Sequence, residues 1–377
     1  MSTRPPRILM AGGGTGGHVY PAIAIADALR TLHPETVVVF AGTRDRLEAR
    51  AVPDAGYALH PITVSGFQRA WTLDNLMFPL KLVKGLVQSW RLIGALDPDV
   101  VVGTGGYVAG PVGLAAWLRG VPLVIQEQNA YVGVTNRLLS PLAASIHVAF
   151  PEAAARMPET RTHQSGNPVR ESLLKGNRGT IRSMYDIPSH ATVLLITGGS
   201  LGSAALNKAL QAHCHALLKA HPHLHVWWQT GRRYYDDVAI AVDGHPRLRL
   251  MEYIDRMDHA YAVADLALCR AGALTCSELL ATGTPSVLVP SPNVVADHQT
   301  KNANSLADAG AARVLPEADV PARLPELLGT LLSTPSTRHQ MADAARAHAL
   351  PHAATTIARD VLHHASVSVS TAASTPS

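Results

Sequence analysis

The chain's 377 residues exceed what one ordinary hydrophobic core organises, and at about 150 residues per domain they predict two domains. With 47% hydrophobic and 16% charged residues, the chain can bury substantial cores and is not a disordered segment. Lys+Arg 32 against Asp+Glu 28 leaves a net charge of only +4, and aromatics are 5%, so no basic field or stacking array argues for nucleic acid.

At the N-terminus the apolar stretch Ile8 to Ala11 is too short for a signal peptide. No uninterrupted apolar run reaches the roughly 18 residues of a membrane-spanning helix. The three cysteines (Cys214, Cys269, Cys276) are odd in number and form no CxxC pair, which fits a reducing compartment. The expectation is a soluble or peripheral, cytoplasmic protein. Short β-branched runs at Arg7–Ala11, Thr36–Ala41, Val100–Val102, Pro122–Gln126 and Ser145–Ala149 predict buried parallel strands. Helical segments at Pro21–Leu32 and Val108–Leu118 separate them. The rhythm stops around His163–Arg170, and a polar stretch follows to Ser189. It resumes with strands at Thr192–Thr197, His225–Trp228, Asp265–Cys269 and Ser286–Val289. Both halves open with a strand running into a glycine loop, Gly12–Gly17 in one and Gly198–Gly202 in the other. This pattern predicts an α/β protein of two Rossmann-like, doubly wound parallel-sheet domains with the active site in an interdomain cleft.

The first loop contains Gly12-x-Gly14-x-x-Gly17, whose glycines permit positive φ and close approach to a phosphate at a helix N-terminus. A dinucleotide enzyme also wants an acid at the tip of the second strand. That strand ends Phe40-Ala41-Gly42-Thr43, without one, and no Gly-Lys-Ser/Thr follows either loop to make a P-loop. His18 follows the loop directly, with Pro21 expected in the first helical turn. It reads either as a packed helix-start residue or as a neutral imidazole placed to accept a proton. In the second half, Thr275-x-x-Glu278 fits a capping box. The same turn could instead bind a diphosphate, with the Glu278 carboxylate accepting from ribose hydroxyls. Asp297 reads as a helix cap ahead of Gln299 and Asn302.

Asp97-Pro98-Asp99 imitates a DxD metal motif, but it precedes a strand, whereas ligands bind beyond the carboxyl ends. The histidines around His213 to His225 lack ligand spacing, so no metal is expected. The apolar stretch from Leu76 to Arg91 carries Lys81, Lys84 and Arg91, and it fits a core-facing helix or a membrane-surface helix equally.

Taken in order, several segments closely resemble the MurG family, bacterial peptidoglycan N-acetylglucosaminyltransferases of the GT-B fold. They are Gly13–His18, Gly105-Gly106-Tyr107-x-x-Gly110-Pro111, Glu127-Gln128-Asn129, Gly166–Arg170, Gly198-Gly199-Ser200, Arg270–Glu278 and Gln299-x-x-Asn302-Ala303. The resemblance spans nearly the whole chain. It implies transfer of N-acetylglucosamine from UDP-N-acetylglucosamine to the C4 hydroxyl of the muramoyl sugar of lipid I, giving lipid II with inversion and without a cofactor. It further implies that Ile254 meets the uracil through its backbone, Glu278 the ribose, and Arg170, Ser200 and the Ala273–Thr275 turn the diphosphate. Leu274, Cys276 and Ser277 belong to that same donor segment. Gln299 and Asn129 would touch the sugar. Thr15, Gly16 and Gly17 would lie near the leaving diphosphate and the acceptor's pyrophosphate, with His18 as the base. The apolar stripe becomes a membrane-docking patch formed by Leu80, Lys81, Val83, Lys84, Leu86 and Trp117, on the cytoplasmic face of the inner membrane. Candidate partners are UDP-N-acetylglucosamine, lipid I, the membrane surface and proteins of the cell-wall and division machinery, with no nucleic acid.

The expected layout is an acceptor- and membrane-facing domain at 1–168, completed by a helix at 350–366. A UDP-sugar domain follows at 169–349, and a disordered Ser/Thr/Ala-rich tail at 367–377. This chain departs from many relatives at Gln126, where they have His, at His298, where some have Gln, and over Val294-Val295-Ala296. Competing readings are another GT-B lipid glycosyltransferase, a UDP-sugar epimerase and a non-catalytic UDP-sugar sensor.

Overall fold

A computed structural model describes residues 4–64, 78–242, 244–294 and 297–366. The expected tail at 367–377, Leu76 and Met77 of the apolar stripe, and Val295 and Ala296 lie outside the described residues. The chain divides into two compact units. One comprises the described residues up to Pro168 together with those from Pro351, and the other is Val169–Leu350.

The first unit holds a seven-stranded parallel sheet in the order β3-β2-β1-β4-β5-β6-β7. Its strands are β1 (Arg7–Gly12), β2 (Val37–Gly42), β3 (Ala58–Pro61), β4 (Val100–Gly105), β5 (Leu123–Glu127), β6 (Ser145–Val148) and β7 (Thr162–Gln164). The central strands are buried along their length, which is why they read as continuous apolar runs rather than as an alternation. Edge strands β3 and β7 are short and largely exposed, so His163 lies in a strand where the strand rhythm was expected to stop. The terminal helix Ala353–His364 packs Ile357, Ala358, Val361 and Leu362 into the same core as Ile8, Ile25 and Leu29. It is also tied by polar contacts, since Asp360 lies 2.9 Å from the buried His147 ring, whose other nitrogen meets the Ser165 hydroxyl at 2.7 Å.

The second unit holds a six-stranded parallel sheet in the order β10-β9-β8-β11-β12-β13. Here the strands are β8 (Thr192–Thr197), β9 (Leu224–Gln229), β10 (Leu248–Met251), β11 (Leu266–Cys269), β12 (Ser286–Leu288) and β13 (Ala312–Val314). The polar stretch before β8 contains a helix, Arg178–Met184, capped by the Asn177 side chain on the Thr180 N–H. In each sheet the strand order reverses beside the first strand, between β1 and β4 and between β8 and β11. Open α/β sheets bind ligands beyond the carboxyl ends of such strands, and both glycine loops leave the sheet there.

Candidate active site

In the first unit, β1 passes through the glycine loop into the helix Gly16–Leu32. Gly14 has φ +90°, a left-handed conformation that favours glycine. Beneath the loop lies Glu48, 0% exposed. Its Oε2 accepts the Gly14 N–H (2.9 Å), and its Oε1 accepts the Thr43 N–H (3.1 Å) and hydroxyl (2.7 Å). A Cβ on Gly13 would run into this carboxylate, and one on Gly42 into the Glu48 Cγ and the Leu59 side chain. The acid missing from the tip of β2 thus occurs one turn later, where it holds the loop from below. From the neighbouring strand, the Thr104 hydroxyl donates to the His18 carbonyl (2.8 Å), and a Cβ on Gly106 would strike the Gly13 carbonyl.

The helix begins at Gly16, so Pro21 lies inside it and not in its first turn; the first turn belongs instead to Gly16, Gly17 and His18. The proline leaves only the Gly17 carbonyl without its helical donor. His18 is half-buried, with Nδ1 3.2 Å from the exposed Thr15 hydroxyl. With Nδ1–H donating to Thr15, Nε2 becomes the acceptor, the tautomer that a base needs.

Asn129 sits on a loop built around Glu127, which is buried at the end of β5. Glu127 accepts the N–H of Asn129 (3.1 Å), the N–H of Gly133 (2.9 Å) and the Asn136 amide (2.9 Å). Gln126 is fully buried and donates to Asn167 (2.9 Å).

In the second unit, β8 runs into Gly198–Gly202, where Ser200 is exposed. Gln229, at the end of β9, donates to the Gly199 carbonyl (2.8 Å) and accepts the Ile254 N–H (3.1 Å). The Ile254 N–H is therefore engaged within the protein. After β11, Arg270 donates to the carbonyls of Val289 and Pro290 (both 3.2 Å) and pairs with Glu317. Asn302, buried, donates to the Ala271 carbonyl (3.2 Å).

The helix Ala273–Thr282 starts from Gly272, with no side-chain cap. Thr275 is thus already within the first turn, and the expected Thr275–Glu278 capping box is not formed. Glu278 accepts instead from the Tyr261 hydroxyl (3.0 Å). Burial raises the Glu278 pKa above the ordinary carboxyl value, against the hydrogen bond from Tyr261 and the charge of Arg170, which lower it. Arg170 itself is exposed. Cys276 is withdrawn as a ligand contact, because its side chain is fully buried and its N–H donates to Gly272 (2.9 Å). Ala273 is also buried, while Leu274, Thr275 and Ser277 are part-exposed. Asp297 stands at the N-cap position of the helix His298–Asp308, but its carboxylate takes the Thr300 hydroxyl (2.7 Å) and no backbone N–H. Gln299 accepts the Ser291 N–H (2.9 Å), which leaves its amide protons to donate.

The helix Phe78–Leu96 exposes Leu80 (63%) and Val83 (60%), with Leu82, Val87 and Trp90 on the open side. Lys84 is exposed and Lys81 part-exposed. Trp117 (49%) is exposed on the adjoining helix Gly106–Leu118, and Arg119 covers the Trp90 ring at 4.1 Å. Leu86 is part-buried and packs against the core that holds Ile93 and Val112. Among the described residues no helix is long and apolar enough to cross a membrane. The decoy Asp97 and Asp99 bind Arg4 (3.2 and 2.9 Å).

Glu48, Gln229 and Tyr261 went unnoticed in the sequence reading. Each acts on a loop or helix far away in the chain, which no local pattern marks.

Two family models match the chain. The glycosyltransferase family 28 N-terminal domain covers residues 8–148, and the family 28 C-terminal domain covers 193–357. A Salinibacter ruber protein, named UDP-N-acetylglucosamine–N-acetylmuramyl-(pentapeptide) pyrophosphoryl-undecaprenol N-acetylglucosamine transferase, is 63% identical over 96% of this chain and 98% of its own. A protein of the same name from Anaeromyxobacter dehalogenans is 42% identical over 93% of this chain and 91% of its own. Among solved structures, Acinetobacter baumannii MurG superposes with a TM-score of 0.77 at 34% identity, covering 95% of this chain and all of that one. The chain belongs to glycosyltransferase family 28 and, within it, to the MurG N-acetylglucosaminyltransferases of the GT-B fold. A UDP-GlcNAc 2-epimerase from Neisseria meningitidis shares the fold alone, with a TM-score of 0.65 at 13% identity, covering 96% of this chain and all of its own.

Proposed function

We infer that this chain moves N-acetylglucosamine from UDP-N-acetylglucosamine to the C4 hydroxyl of the muramoyl sugar of lipid I, giving lipid II and UDP in peptidoglycan synthesis. The observation that carries the reading is the 63% identity to a transferase of that name along nearly the whole chain. The second unit holds the donor. The Ile254 carbonyl meets the uracil, Glu278 the ribose, and Ser200, Arg170 and the start of the Ala273–Thr282 helix the diphosphate. Gln299 donates its amide protons to the sugar, and Asn129 of the first unit contacts it as well. Thr15, Gly16 and Gly17 receive the acceptor's pyrophosphate at a helix N-terminus, where orphan N–H groups favour an anion.

The acceptor's C4 oxygen attacks the anomeric carbon as the bond to UDP breaks, and configuration inverts. The C4 proton passes to His18 Nε2, which accepts when Nδ1–H donates to the Thr15 hydroxyl. Negative charge develops on the departing diphosphate, where Arg170 and the helix N-terminus stabilise it. The face carrying Leu80, Val83, Lys84 and Trp117 rests on the cytoplasmic leaflet that holds the lipid acceptor, as an apolar surface bordered by cations does.

The test is transfer of radiolabel from UDP-N-acetylglucosamine to a short-chain lipid I analogue by the purified chain. Labelled disaccharide-lipid with stoichiometric UDP release is the expected result. Donor consumption without any acceptor would select the epimerase reading. Donor binding without turnover would select a sensor.

A further inference from the structure

Glu278 sits in the second turn of its helix with one carboxylate oxygen already engaged. Its Oε2 accepts from the Tyr261 hydroxyl at 3.0 Å, and Oε1 takes no hydrogen bond from the described residues. Tyr261 belongs to the helix Met257–Val263, is 3% exposed, and spends its single hydroxyl proton on this bond. A part-buried carboxylate on a side chain with three rotatable bonds would otherwise sample several rotamers. The buried phenol removes that freedom at one oxygen and leaves the other presented in a fixed direction.

We propose that Tyr261 is a specificity-determining positioning residue: by holding Glu278 Oε2, it aims the carboxylate at the ribose and sets how strongly the site distinguishes a ribonucleoside diphosphate from its deoxy counterpart. The proposal rests on the reading that Glu278 accepts from the ribose. Tyr261 touches no substrate and acts through Glu278.

Electrostatics supplies a second consequence. The ionisable groups around the carboxylate are Tyr261 from its own helix, Arg170 from the segment before Glu171–Leu174, Cys269 at the end of β11, and Cys276 within the same helix. Arg346 lies at the far end of the helix, against Gly283. Burial raises the pKa of Glu278, and the Tyr261 hydrogen bond works against that rise because it stabilises the charged form. Loss of the hydroxyl therefore moves the pKa further up. Ribose recognition needs the carboxylate, so UDP affinity falls as pH drops through this pKa. In a Tyr261→Phe protein that fall begins at higher pH. Titration of the ligand's own phosphate is common to both proteins and cancels in the comparison.

The experiment is calorimetric titration of the full chain and of Tyr261→Phe with UDP and 2′-deoxy-UDP between pH 5 and 8, within the stability range of both (about the ordinary range for folded domains). Thermal melting verifies that the variant is folded. Phe keeps the buried ring, so the fold is expected to persist. The wild type is expected to prefer UDP, and the variant to lose roughly five- to tenfold of that preference, the scale of one ordinary hydrogen bond. Its deoxy affinity stays near wild type, and its acid midpoint moves up. In a Glu278→Gln background, the further change to Phe has no effect on the ratio. Equal weakening of both ligands would mark Tyr261 as structural only and overturn the proposal, as would an unchanged ratio and midpoint. If the wild type itself fails to discriminate, the ribose role of Glu278 falls together with this inference; if it discriminates and the variant does so equally, only the inference falls.

Discussion

The two glycine loops occupy equivalent places, each leaving the first strand of a parallel sheet at the point where strand order reverses, yet they are held by different means. In the first unit the loop rests on a fully buried carboxylate, Glu48, and abuts the neighbouring switch-point loop through Gly13 and Gly106. In the second unit the support is a neutral amide, Gln229, and the loop abuts the end of β9 instead, where a Cβ on Gly202 would strike the Thr230 carbonyl and one on Gly231 the Leu201 carbonyl. A charged anchor must be fully satisfied once buried, and Glu48 has three donors on its two oxygens. The amide spans two partners with one donor and one acceptor, linking the loop to the Ile254 segment. The lesson is that one topology fixes where a site lies, while local anchoring decides which backbone groups are left for ligands.

The largest expected effect separates the loops by chemistry. His18→Ala should lower turnover about 10²–10⁴-fold with donor affinity preserved, as the proposed role of His18 as the base requires. Single-turnover kinetics with UDP titration checks this, and a loss confined to donor binding would place the role of His18 elsewhere. Next, Glu48→Ala leaves three donors without a partner, two of them buried, and should cost about 3 kcal/mol of stability, measured by urea unfolding. A cost under 1 kcal/mol would mean that the charged anchor matters no more than the amide. Gln229→Ala should be milder for the fold but weaken UDP binding by about tenfold while acceptor KM holds, since it frees both the Gly199 loop and the Ile254 segment. An effect on acceptor KM alone would contradict the division of donor and acceptor between the units. Smallest is the surface change: Leu80→Ser with Val83→Ser should reduce partition onto anionic liposomes several-fold and leave UDP affinity intact. Unchanged partition would remove the membrane role from the first unit's open helix.

Much of the fold was legible before any coordinates. The central strands of both sheets stand where continuous β-branched runs placed them, because burial on both faces demands such runs in a parallel sheet. What escaped were β3, β7, β10 and β13, of three or four residues each, at positions toward the sheet margins where polar residues such as His60, His163, Arg249 and Arg313 are tolerated. Helix starts were also misjudged. Pro21 and Thr275 each suggested a beginning that the structure sets elsewhere, since a loop of glycines can enter a helix without any side-chain cap.

The candidate site divides in the same way. Motif order along the chain was enough to mark the loops, and to offer His18, Glu278 and Gln299 as candidates, because glycine spacing and residue type reflect local backbone needs. Tertiary structure alone decided that Glu48 lies under Gly14, that Gln229 occupies the Ile254 N–H, that Tyr261 holds Glu278, and that Leu86 and Cys276 turn inward. The physical reason is range. Strand burial and turn conformation are written in neighbouring residues, whereas a buried polar group is satisfied by whichever partner the fold carries to it, and that partner can come from anywhere in the chain.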